Sequence, residues 1–213
     1  MIPCRPQSLR RVLCLGAHSD DIEIGCGGTL LKLIRENPKL EVRWVVFCGS
    51  TARQKEARRS ARQFLRGAKQ AVIETHSFRE SFFPVEWAGI KEAFERIKKE
   101  FDPDLVFTHY RDDRHQDHRV LSDLAWNTFR HHLILEYEII KYDGDVGQPN
   151  VFVELDAALA RRKVSAILKY FQTQGNKHWF TADTFLSMMR IRGIECASPA
   201  LYAEAFYGRK ITL

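Results

Sequence analysis

Cysteine is scarce and scattered in this chain. The five residues, Cys4, Cys14, Cys26, Cys48 and Cys196, are an odd number with no Cys-x-x-Cys spacing. That excludes a disulfide framework and a thiolate-bound zinc. A reducing, cytoplasmic setting fits such free thiols, and Cys14 and Cys48 sit inside apolar runs where a thiol acts as a small hydrophobe. Long apolar runs are also missing: nothing approaches the about 18 consecutive residues that a membrane span requires. The opening stretch MIPCRPQSLRR has no apolar h-region and does not read as a secretory leader. Glycine and proline, at 12 and 7 residues, follow no period, so collagen and low-complexity classes are excluded. No internal repeat is visible, and no dinucleotide-type G-x-G-x-x-G occurs.

What is present is ordinary globular usage. Apolar residues make up 45% and charged residues 28% of 213, enough chain for one compact domain over residues 1–213 with a core of its own. The formal charge is +6. No nucleic-acid motif accompanies it, so nucleic acid is disfavoured as a partner, while an anionic or nucleotide-linked small substrate fits.

Short apolar runs alternate with helical periodicity. Strand patterns fall at Arg11–Gly16, Glu41–Cys48, Ala71–Ile73, Leu105–Phe107, Leu133–Ile140, Val151–Leu155 and Tyr202–Tyr207. Helical spacing falls near Asp21–Glu36, from a capping box at Thr51–Gln54, at Trp87–Glu100, at Asp117–His131, after a cap at Asp156, and near Thr181–Arg192 with Gly193 as the residue past its end. The stretch Tyr142–Asn150 reads as a loop. Strands separated by amphipathic helices predict an α/β fold with a mostly parallel sheet flanked by helices. In such sheets ligands bind outside the carboxyl ends of the strands, so a functional cluster should follow a strand.

Two clusters do. His18-Ser19-Asp20-Asp21-Ile22-Glu23 follows the first strand. His109 to His118 (HYRDDRHQDH) follows the fourth. Imidazole and carboxylate are the ligand types of a catalytic zinc, which takes three protein ligands and keeps one open position. His18, one of Asp20 or Asp21, and one histidine of the second cluster would supply three. Either cluster alone reads as a polar loop; the two together read as a metal site. Gly25, Gly27 and Gly28 read as close packing of a helix on the sheet. Trp44, Trp126 and Phe64 read as core, and Trp87 and Trp179 as candidates to stack on a sugar ring.

The segment GAHSDDIEIGCGGTLLKL resembles the AHPDDE region of the LmbE/PIG-L family of metal-dependent deacetylases, with Ser19 in place of proline and Ile22 after the aspartate pair. The segment THYRDDRHQDHR resembles that family's HxxDxHxDH motif, with Tyr110 where its first histidine often stands and His109 beside it. Arg53 to Glu56 with Phe64 to Gly67 resembles its RxxE…LG helix, and Arg192-Gly193 through Tyr202–Phe206 its RG…YAEAF close. The resemblance implies a single-domain Rossmann-like fold and removal of an acetyl or other short acyl group from an amino sugar or its conjugate. It implies Zn2+, with Fe2+, Mn2+ or Ni2+ as substitutes. By position it implies His18, Asp21 and His118 as ligands and Asp20 as general base. His115 becomes the acid or oxyanion-stabilising group, its pKa raised and its ring oriented by Asp117. Arg53, Glu56, Asp113 and Glu204 are candidate substrate contacts. No membrane partner is expected, and a homo-oligomer is compatible. A metallophosphoesterase, and a sugar-nucleotide- or nucleic-acid-binding module, are the rival readings.

Overall fold

The structure, a computed structural model, describes residues 9–211. Cys4 and most of the N-terminal stretch considered above lie outside them. The elements run β1 (Arg11–Gly16), α1 (Asp21–Glu36), β2 (Glu41–Cys48), α2 (Thr51–Phe64), β3 (Gln70–Phe78), α3 (Trp87–Glu100), β4 (Leu105–His109), α4 (Gln116–Thr128), β5 (Leu133–Tyr137), β6 (Val151–Leu155), α5 (Ala157–Tyr170) and α6 (Ala182–Glu195). β7 (Tyr202–Gly208) closes the order, and a short 3-10 turn lies at Gln172–Gln174.

The strands form one seven-stranded sheet in the order β3-β2-β1-β4-β5-β7-β6. β3, β2, β1, β4 and β5 are parallel, while β7 runs antiparallel between β5 and β6. Buried strands with apolar residues on both faces are what a sheet covered by helices demands. One core lies under α1, α2, α5 and α6, around Trp44, Phe64, Tyr137 and Phe206. The other lies under α3 and α4, around Phe47, Phe94 and Phe129. The connection from β1 leads one way along the sheet and that from β4 the other. The crevice between their carboxyl ends is therefore the switch point where open α/β sheets bind ligands.

Three glycines seat α1 against its neighbours. A Cβ on Gly25 would come within 2.2 Å of the Tyr137 ring, one on Gly27 within 2.7 Å of Phe64, and one on Gly28 within 2.5 Å of Leu155.

Several boundaries differ from the sequence expectation. β3 continues to Phe78 because it pairs with β2 through a bulge near Val46–Cys48. α2 is capped one residue earlier than expected, by Ser50, whose hydroxyl accepts from Arg53 N–H. α4 ends at Thr128, so His131 and His132 lie beyond it. Gly193 lies inside α6 rather than past its end, and it is the close approach of the Leu201 carbonyl, 2.2 Å from where a Cβ would sit, that requires glycine there. Trp126 is half-buried, not core.

Candidate metal centre

Both clusters stand at the crevice. His18, Asp20 and Asp21 follow β1 and open α1; His109 ends β4, and His115, Asp117 and His118 open α4. His118 Nε2 lies 3.1 Å from His18 Nδ1. Asp21 Oδ2 lies 3.3 Å from His18 Nδ1 and 3.6 Å from His118 Nε2. Three donors about 2.0–2.1 Å from a tetrahedral zinc are separated by roughly 3.4 Å. The triangle therefore has the size of one divalent ion's face.

The far side of each ring is fixed by a carboxylate. His18 Nε2 is 3.1 Å from Asp117 Oδ2, and His118 Nδ1 is 2.9 Å from Asp113 Oδ2. A carboxylate behind an imidazole holds the proton on the outer nitrogen and aims the inner lone pair at a metal. Asp117 is itself held by the backbone N–H groups of Ser81 (2.6 Å) and Phe83 (3.2 Å). Ser81 takes a left-handed backbone, φ 68°, to present its N–H.

Two further imidazoles approach. Donor atoms of Asp21, His109 and His118, and separately of His18, His115 and His118, lie within 4.8 Å of one another. His109 Nε2, however, accepts from the Ala17 N–H at 3.0 Å, and His115 Nδ1 accepts from the Asp117 N–H at 3.2 Å. Those lone pairs are engaged by the protein. Asp21 Oδ2 also accepts from the His18 backbone N–H at 2.6 Å, but a carboxylate oxygen keeps a second lone pair where an imidazole nitrogen has only one, so His18, Asp21 and His118 are the set whose donors converge with a lone pair to spare.

The electrostatics suit a cation. Burial alone would lower the His18 pKa, but the Asp21 charge and hydrogen bonds to Asp117 and Asp21 lift it to about 10. Burial opposes ionisation of Asp21, yet His118, His18 and His109 hold its carboxyl well below the usual range. Burial and the neighbouring His109 push His118 down to about 3, leaving a neutral imidazole. The ionised Asp21 thus faces a protonated His18, and a divalent ion would replace the His18 proton between them.

Asp20 faces otherwise. Burial raises its pKa, opposed by Arg53, whose Nη2 is 3.1 Å from Asp20 Oδ1. Arg53 also reaches Glu80 at 3.2 Å. Half-buried His115 packs its ring 4.7 Å from those of His18 and His118. Its Nδ1 is occupied, so in the neutral ring Nε2 carries the proton.

Four expectations are corrected. The Asp117 carboxylate grips His18; what reaches His115 from Asp117 is the backbone N–H. The His115 pKa is lowered, not raised, by burial and by the His18 charge. Glu204 does not line the crevice. It is buried under α1, accepting from Gly28 N–H (2.8 Å), Thr29 N–H (2.6 Å) and Lys163 Nζ (2.6 Å). Glu56 is taken up by Thr173, whose N–H and hydroxyl both donate to it. Asp113 backs His118 and meets Lys141 Nζ at 3.1 Å. Sequence reasoning passed over the Ser81 and Phe83 amides, which carry no side-chain signal, and the His109 contact to the β1 turn, for which a histidine ending a buried strand was the available hint.

Residues 13–129, just over half of the chain, match the family described as PIG-L, GlcNAc-PI de-N-acetylase. Solved structures share the fold. N,N'-diacetylchitobiose deacetylase from Pyrococcus horikoshii superposes with a TM-score of 0.74 at 23% identity, over 95% of this chain and 85% of that one. The 4-carboxy-2-hydroxymuconate hydratase GalB from Pseudomonas putida KT2440 gives 0.72 at 16% identity, over 96% and 99%. The zinc-inhibited form of teicoplanin deacetylase Orf2 gives 0.71 at 15% identity, over 93% and 97%.

Proposed function

The chain belongs to the PIG-L family of GlcNAc-PI de-N-acetylases, and from that premise we propose that it is a divalent-metal hydrolase that removes an N-acetyl, or other short acyl, group from an amino sugar or its conjugate. The observation that carries this reading is the triangle of His18 Nδ1, Asp21 Oδ2 and His118 Nε2, each imidazole backed by a carboxylate. The neighbouring hydratase fold is a reminder that architecture alone does not select hydrolysis; the family and the donor set together favour it.

An amide resists hydrolysis because water is a poor nucleophile and an amine a poor leaving group. A divalent ion held by His18, Asp21 and His118 would lower the pKa of its water from 15.7 to about 7 and polarise the acyl carbonyl. Asp20 is adjacent to Asp21 in the chain, so its side chain diverges from the ligand's and is free to take the proton of the attacking water. Arg53 holds that carboxylate in place. A base so positioned contributes roughly 10²- to 10⁴-fold. His115 would present its Nε2–H to the oxygen that gains charge as the carbonyl carbon becomes tetrahedral, an interaction worth about 3 kcal/mol. The leaving amine then takes a proton from Asp20 or His115. Zn2+ suits the nitrogen and oxygen donors, and Fe2+, Mn2+ and Ni2+ fit the same set.

The test is a screen of N-acetylated amino sugars, their glycosides and their nucleotide conjugates against protein loaded in turn with each of these metals, reading free amine and acetate together. Equimolar release that stops on chelation is the expected result. Phosphate release without acetate would replace this reading with a phosphoesterase, and metal-independent, salt-sensitive oligonucleotide binding would replace it with a binding module.

A further inference from the structure

Residues 171–181, between α5 and α6, cross the mouth of the crevice. Thr173 is tied to Glu56 on α2 by its N–H at 3.0 Å and its hydroxyl at 2.6 Å. His178 Nδ1 meets the Tyr142 hydroxyl, in the β5–β6 connection, at 3.1 Å. α2 starts from the carboxyl end of β2, and Tyr142 follows that of β5. In the sheet β1 and β4 lie between those two strands. The segment from Thr173 to His178, a 3-10 turn continued by hydrogen-bonded turns, is therefore a compact strap held at one end on the β2 side of the crevice and at the other on the β5 side. Phe180 anchors its end against Phe185 of α6, ring centres 5.2 Å apart.

The strap brings a cation that the protein leaves without a partner. Arg53, His18 and Lys177 all act on the Asp20 charge. Arg53 is held between Asp20 and Glu80, and His18 between Asp21 and Asp117. Half-buried Lys177 has no carboxylate within 4.0 Å among the described residues; its Nζ rests 5.6 Å from the centre of the Trp179 ring. On the same strap Gln174 is buried with its Oε1 lacking a donor. The Lys177 ammonium and the Gln174 Oε1 are thus two polar groups of this segment that no polar protein group meets among the described residues.

We propose that Lys177 is a specificity-determining residue of the site, taking an anionic substituent of the N-acylated sugar while the acyl group lies below at His18, Asp20 and Asp21. The inference rests on the deacylase reading for what lies beneath the strap, but not for what Lys177 binds. An ammonium beside the Trp179 face pairs with a phosphoryl or carboxylate oxygen and leaves a neutral sugar without that contact.

The experiment compares metal-loaded wild type, K177Q and K177R on N-acetylglucosamine, its 1-phosphate and N-acetylmuramic acid, the last two separating phosphate from carboxylate. Wild type is expected to favour at least one anionic substrate. In K177Q the ratio of kcat/KM for that substrate over the neutral sugar should fall at least tenfold, with K177R restoring most of it and added salt eroding it in wild type. A ratio unchanged by K177Q overturns the proposal. Calorimetric titration of the 1-phosphate and of N-acetylmuramic acid reads Lys177 without turnover. Binding weakened at least tenfold in K177Q upholds it, and equal affinity, or no binding of either anion, overturns it. Absence of acetate release with every sugar overturns the deacylase reading on these substrates while the titration still judges Lys177.

Discussion

Asp20 and Asp21 are neighbours with opposite surroundings. Asp21 points among three imidazoles that hold it ionised, while Asp20 is buried beside one guanidinium. Different losses follow from the two positions. His18→Ala and His118→Ala are expected to lose both bound metal and activity, read as metal per chain after dialysis; full occupancy in either variant would remove that residue from the ligand set. Asp20→Asn should keep its metal and lose about 10²- to 10⁴-fold in turnover, and wild-type turnover would eliminate Asp20 as base. The ligand types and the two clusters were legible in the chain because the chemistry confines them to few residue types. What each carboxylate backs was not: Asp117 and Asp113 sit one and five residues before His118, and only the turn into α4 decides which ring each one meets. Glu204 misled for a related reason, since a motif shows that an acid is required without showing where it points. Its substitution belongs to stability. Glu204→Gln weakens the partner of buried Lys163 and is expected to cost about 3–5 kcal/mol in denaturant unfolding, with the KM of the folded protein unchanged.

Elements carried their own signals unevenly. β1, α1, β2, α3 and β6 were readable to the residue, because apolar runs or four-and-three spacing ended at proline, asparagine or a capping acid. β3 was under-read. Its polar half, Glu74–Ser77, looks unlike a strand, and what holds it is pairing with β2 and the ion pairs beneath. Glu74 meets Arg43 at 2.7 Å and also pairs with Arg96. The approach of His76 Nε2, 2.7 Å from Oε1, is the main cause that takes the Glu74 pKa down to about 2, with Arg43 adding to it against the opposing effect of burial. A depressed acid stabilises the fold above its unfolded pKa, and that contribution is lost as pH falls through the folded value. Glu74→Gln should therefore be less stable than wild type at neutral pH by on the order of 2 kcal/mol, the gap closing from about pH 4.5 toward pH 2. A gap that stays constant across that range would contradict this assignment. α1 depends on its glycines, and Gly25→Ala, forced against Tyr137, is expected to destabilise by about 1–3 kcal/mol.

At the scale of the whole molecule, the sheet order does the work that no segment does alone. β1 and β4 start 94 residues apart, at Arg11 and Leu105, yet lie side by side. Their connections diverge, which opens the crevice into which both clusters fold. The alternation of strands and helices made a parallel sheet legible; that β7 slots antiparallel between β5 and β6, and that a strap spans β2 to β5, depends on long-range packing without a local pattern. Among the described residues no helix is long and apolar enough to cross a membrane. A metal bound to the folded state alone should also raise the midpoint of thermal unfolding with the logarithm of its concentration relative to Kd, and chelation should reverse that rise; a midpoint indifferent to metal would mean that the crevice binds none. The most direct test of the central claim is anomalous diffraction from crystals of the metal-reconstituted protein. One ion per chain is predicted, about 2 Å from His18 Nδ1, Asp21 Oδ2 and His118 Nε2. An ion held without His18 or His118, or none between β1 and β4, would contradict it.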